Sequence, residues 1–65
     1  MFRVIYMMEC FTPDGRLMVR RFFANKKAAD RIAKIYEKQG KGYEIVVRAT
    51  QKEEHLWIDE RYVEG

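Results

Sequence analysis

The groups able to do chemistry are few and poorly arranged for it. Cys10 is the single cysteine and His55 the single histidine. A Cys–His nucleophile pair needs a third, orienting group and an oxyanion site, and no spacing in the chain supplies either. Cys10 sits in an apolar run and reads as a small buried residue; His55 reads as an exposed residue at a turn or strand start. Glu53, Glu54, Asp59 and Glu60 cluster without the histidines, or the alternating acidic loop with its glycine, that metal sites use. Gly40-Lys41-Gly42 has the composition of a phosphate loop. It follows a helix instead of preceding one, so the N–H cradle of a helix start is missing. The residues point away from catalysis, and no metal, cofactor or small-molecule substrate is expected.

Positive charge is the other chemical resource. Lys27, Arg31, Lys34 and Lys38 recur at steps of four, three and four, which places them on one face of a helix. Such a stripe is either a solvated face or a row of phosphate contacts. From residue 16 to residue 41 nine basic residues stand against two acidic ones, an excess of seven positive charges. From residue 51 to the end, two basic residues stand against five acidic ones. A basic middle and an acidic tail make a dipolar molecule that steers acidic partners or lets copies meet head to tail.

The element that carries the stripe is residues 25–40, NKKAADRIAKIYEKQG. Asn25 is an N-cap residue, and Gly40 is placed to close the helix in the left-handed conformation. Ala28, Ala29, Ile32, Ala33, Ile35 and Tyr36 gather as a buried stripe, and the alanines let the helix sit close on a sheet. Asp30 precedes Lys34 by four residues, a weakly favourable pair.

Strands surround this helix. Residues 2–11 are rich in β-branched and aromatic side chains. Thr12-Pro13-Asp14-Gly15 is a turn signal, read as a type I turn followed by a glycine bulge. Residues 16–23 and 43–50 form the second and third strands. Residues 55–63 read as a fourth strand, with a short acidic helix from Glu53 as the rival reading. The order β-β-α-β-β defines one small α+β domain over residues 1–65, a mainly antiparallel sheet with an amphipathic helix across one face. Sixty-five residues allow only a thin core, and one cysteine excludes an internal disulfide, so good packing or self-association must supply stability.

Alternation along the strands sorts their faces. Val4, Tyr6, Met8, Leu17, Val19, Ile45 and Val47 are expected beneath the helix. Ile5, Met7, Phe11, Met18, Phe22 and Val46 would occupy the other face, with Arg3, Arg20 and Arg48 among them. Soluble monomers rarely leave so contiguous an apolar patch in water. Met7, Phe11, Met18, Phe22 and Val46 are therefore the candidate protein-binding residues, for a homodimer or for docking on a larger protein. Small size and basic charge are also features of phage or mobile-element inhibitors of host proteins, by analogy. The alternative is binding of DNA or RNA, with Arg20, Phe22 and Phe11 on the sheet stacking bases while nearby lysines hold phosphates, or with Lys27, Arg31, Lys34 and Lys38 on the helix lying along a duplex backbone. The aromatic-glycine signature of RNA-recognition sheets and a helix-turn-helix pair are both missing. The first apolar run is short, is broken by Glu9 and lacks a cleavage site. With nothing of transmembrane length and a free cysteine, a reducing cytoplasm is the expected compartment and no membrane partner is expected.

Overall fold

The computed structural model describes residues 3–51 and 63–64. Four strands and one helix follow in the order β1 (Val4–Phe11), β2 (Leu17–Phe23), α1 (Lys26–Tyr36), β3 (Glu44–Gln51) and β4 (Val63–Glu64). They build an α+β domain in which α1 packs on a sheet of spatial order β3-β1-β2-β4. β1 pairs antiparallel with both β2 and β3, while β4 runs parallel to β2. The sheet is thus mixed at its last strand. Most of the acidic tail, including the expected strand over residues 55–63 and its helical rival, lies outside the described residues apart from Val63.

The hairpin forms where the turn chemistry placed it. The Gly15 N–H donates to the Thr12 carbonyl at 2.9 Å, and the Thr12 N–H donates to the Arg16 carbonyl at 2.8 Å. Gly15 has φ of 84°, a conformation that a Cβ disfavours. The Thr12 hydroxyl also bonds the Asp14 carboxylate across the turn. Further in, Phe11 faces Leu17 whereas Cys10 faces Val19. Met18 is therefore an extra residue on β2, a bulge that interrupts the alternation.

Helix α1 begins as its sequence requires, with the Asn25 side chain accepting from the Ala28 N–H at 2.9 Å. Its end differs from expectation. The α-helix stops at Tyr36 and tightens into a 3₁₀ turn, Glu37–Gln39. Gly40 then adopts φ 154° and ψ 178°, an extended region at positive φ open essentially to glycine alone, and not the left-handed helical one. The expected Asp30–Lys34 pair also does not form. Asp30 instead takes the ammonium of Lys26 at 2.8 Å, which raises the Lys26 pKa.

Under the helix, Ala28, Ala29 and Ala33 pack on Met8 and Phe23, flanked by Tyr6, Val19, Ile32, Tyr36, Ile45 and Val47. Three corrections follow from position. Leu17 pairs with Phe11 beyond the bulge and is 44% exposed; Val4 lies at the end of the sheet opposite Gln51 and is 50% exposed; Ile35 sits on the flank of α1 and is 58% exposed. Phe23, absent from the expected helix-facing set, is the largest fully buried side chain among the described residues. Phe23→Ala should lower stability by about 3–5 kcal/mol, most of what a domain this small possesses. Ile35→Ala should stay within about 0.5 kcal/mol of the parent. Urea unfolding of the two variants checks both values.

Candidate functional site

The surface expected to be open is closed at its centre. On the sheet face away from α1, Ile5, Met7 and Phe22 are buried together with 0, 3 and 6% exposure, and Val63 packs against them. Met7 and Phe22 are therefore core residues and not contact residues in this chain. Of the other candidates on that face, Phe11 and Val46 are half-buried, and Met18, lifted out by the bulge, is exposed. A second core on this face was not legible from alternation alone. Alternation shows that two faces are apolar but does not show which of them the rest of the chain covers.

One charged residue shares this buried face. Glu9 is 6% exposed and stands opposite Arg20 on β2. The Arg20 Nε and Nη2 atoms both donate to Glu9 Oε2, at 3.0 and 2.7 Å. On the opposite side, Arg48 Nη2 of β3 lies 3.8 Å from Glu9 Oε1. One carboxylate thus ties three adjacent strands. Arg20, a candidate nucleic-acid contact on the sheet, is committed here to Glu9, on the face opposite the helix. Sequence reasoning passed over Glu9, although the same alternation that groups Ile5, Met7 and Phe11 puts Glu9 among them, beside Arg20 and Arg48.

A second arginine is likewise committed. Arg21 forms a two-pronged pair with the Glu64 carboxylate, its Nε donating to Oε2 at 2.7 Å and its Nη2 to Oε1. This bond is the main cause that pushes the Arg21 pKa up and holds its charge. The guanidinium also lies 5.6 Å from the centre of the Phe23 ring, within the range of cation–π attraction. The Ala24 N–H donates to the Glu64 carbonyl at 2.7 Å, so side chain and backbone together dock β4 on β2.

The helix row has the opposite character. Lys27, Arg31, Lys34 and Lys38 are all exposed, and none takes part in an ion pair among the described residues. Asp30, the acid expected to neutralise Lys34, is held by Lys26. Glu37 is exposed and forms no ion pair among those residues either. Exposed Ile35 adjoins the row, four residues after Arg31 and three before Lys38. The structure carries Lys27, Arg31 and Lys34 on α1 and Lys38 in the 3₁₀ turn that follows, and Arg20 on β2.

Cys10 is fully buried, and burial pushes its thiol pKa up, away from the thiolate that nucleophilic chemistry needs. A cleft of about 280 Å³ between the hairpin turn and the loop after α1 is lined by Phe11, Thr12, Pro13, Gly15, Gly42 and Glu44. Among the described residues of its wall, Glu44 is the one ionisable group. No helix among the described residues is long and apolar enough to cross a membrane. Comparison with protein-family models, curated proteins and solved structures gives no match.

The Glu9 cluster yields an asymmetric expectation. Arg20→Met leaves a buried carboxylate with only the distant Arg48, and should cost on the order of 2–3 kcal/mol. Replacing both partners, Glu9→Met with Arg20→Met, should recover most of that loss. Equal losses in the single and double variants, measured by denaturant unfolding, would show that the pair does not restrain the sheet.

Proposed function

We propose that the protein is a non-catalytic nucleic-acid-binding protein that lays α1 along a phosphate backbone. The observation that carries this reading is the row Lys27, Arg31, Lys34 and Lys38, exposed and without an internal counter-charge among the described residues. Other arginines of the domain are held by carboxylates: Arg20 by Glu9 and Arg21 by Glu64. A folded protein that pairs its sheet arginines yet leaves one helix face uniformly cationic has that face to offer an anionic polymer.

The dimensions agree with such a ligand. Eleven residue steps separate Lys27 from Lys38, roughly 17 Å along α1 and the 3₁₀ turn that continues it. One nucleic-acid strand in a duplex presents a phosphate every ~3.4 Å of axial length, so the row runs beside four or five of them. Lysine and arginine both hold phosphate oxygens, arginine with the planar fork and lysine as a point charge. Ile35 gives the row an apolar neighbour able to lie against a sugar or a thymine methyl. A reducing cytoplasm is the proposed compartment, supported by the single buried cysteine.

A second reading rests on the hairpin end of the sheet. Leu17 and Met18 are 44% and 41% exposed beside half-buried Phe11, an apolar rim suited to docking on a protein target. It keeps part of the expected protein-binding surface and abandons Met7 and Phe22.

The two readings part in one experiment. Affinity for short DNA and RNA is measured across a salt series, for the parent, for Lys34→Glu with Lys38→Glu, and for Met18→Glu. The parent should lose affinity with a log–log slope of roughly −3 to −4, the value for about four neutralised phosphates. The lysine reversal should flatten that slope by about 2 and weaken binding tenfold or more, while Met18→Glu leaves both unchanged. Absence of binding at low salt, or binding indifferent to the lysines, would overturn the proposal and favour the apolar rim.

A further inference from the structure

The cations of the row stand on the crest of α1. Ala28, Ala29 and Ala33 are buried on the sheet, and Ile32 and Tyr36 pack against the same core, which fixes the inner side of the helix. At 3.6 residues per turn, Lys27, Arg31 and Lys34 fall across from that side. All three are exposed, as is Lys38 in the 3₁₀ turn. The two flanks differ in kind. One carries Asp30, which holds Lys26, and the exposed Glu37. The other carries Ile35, 58% exposed. The row is thus a single line of charge on a convex ridge, with acid on one side and hydrocarbon on the other.

We propose that the ligand of this ridge is a duplex, held from outside along one strand and without reading its sequence, an inference that rests on the nucleic-acid reading above. A duplex carries its phosphates on its outer surface, where a ridge reaches them without entering a groove. Its charge is twice as dense as that of one strand, one per ~1.7 Å of axis against ~3.4 Å. The ridge itself is preset: α1 is capped by Asn25 and seated on the sheet, so its cations keep their spacing. A duplex presents phosphates at an equally fixed spacing, whereas a flexible single strand must first be ordered to match. The flanks decide how the helix lies. Inside a major groove about 12 Å wide, both flanks meet phosphates, and Asp30 and Glu37 would face one of the two strands. Contact along one strand lets the helix roll toward Ile35, which then lies against a sugar while the acids point away.

Single strands are held differently, in a charged groove whose aromatic side chains stack the bases. The residues expected to stack are largely engaged elsewhere. Phe22 is 6% exposed within the core away from the helix, and Arg20 is bound to Glu9. Tyr36, the aromatic residue of α1, packs on the helix-side core.

The test is a titration, at low salt and across a salt series, with a short mixed-sequence DNA duplex, each of its strands alone, an A·T duplex and a G·C duplex. The mixed duplex should bind about tenfold or more tightly than either strand. Its log–log salt slope should be about −3.6 against about −2.8 for a strand, from four contacts at roughly 0.9 and 0.7 per phosphate. The A·T and G·C duplexes should agree within about threefold, because phosphate contacts carry no sequence information. Arg31 is the residue of the row whose planar fork can read guanine, so Arg31→Lys, which keeps the charge, separates the two uses. Duplex affinity should fall by less than about threefold, and by the same factor for both compositions. A strand bound as tightly as the duplex, or a G·C preference that Arg31→Lys removes, would overturn this inference and leave the nucleic-acid reading standing. Failure of every probe to bind at low salt would overturn both.

Discussion

The structure depends on one strand being buried on both faces. Along β1, Ile5, Met7, Met8, Glu9 and Cys10 are all less than a tenth exposed, so neither side of the sheet's centre meets water. Met8 and Cys10 are covered on the helix side; Ile5, Met7 and Glu9 are covered on the other. A domain of 65 residues thereby gains two small cores from one strand. This answers the stability problem of a short chain without a disulfide. The same constraint explains the alanines of α1. Ala28, Ala29 and Ala33 let the helix approach closely enough to seal Met8 and Phe23.

Burying β1 on both faces sets the terms for charge. Glu9 cannot be left without partners in such a place, and Arg20 and Arg48 approach it from the strands on either side. Among the described residues every buried polar side-chain atom has a hydrogen-bond partner. The sheet arginines Arg20 and Arg21 are thereby used for architecture, whereas Lys27, Arg31 and Lys34 of α1 and Lys38 of the 3₁₀ turn make no ion pair among the described residues. Among the described residues charge is divided by role: Arg20 and Arg21 are paired on the sheet, and Lys27, Arg31, Lys34 and Lys38 are unpaired on the outer side of the helix and the turn after it. That division gives the basic row its meaning, since net charge alone would not distinguish a restrained arginine from an available one.

Much of the architecture was legible in the chain. Asn25, the turn at Thr12-Pro13-Asp14-Gly15, and the three-and-four spacing of Ala29, Ile32 and Ala33 specify local structure through short-range chemistry, and each appears as read. The errors arise where distant parts of the chain meet. Met18 is an ordinary strand residue by sequence, and only the pairing of Phe11 with Leu17 reveals the bulge. Ile35 fits a helical stripe, yet it remains 58% exposed on the flank of α1. Met7 and Phe22 are apolar on a face that alternation identifies but cannot declare covered. For the site, the helix row follows directly from spacing. The commitment of Arg20 to Glu9 follows from strand register, which a single sequence only weakly fixes.

The most direct test of the account is to map the contact surface residue by residue. Amide and side-chain resonances of the ¹⁵N-labelled protein would be followed while a short unlabelled oligonucleotide is added at low salt. The account predicts shifts concentrated at Lys27, Arg31, Lys34, Ile35 and Lys38, with Arg20 and Arg21 undisturbed in their ion pairs. Shifts confined to Leu17, Met18 and the hairpin turn, or a spectrum unchanged by the ligand, would contradict it.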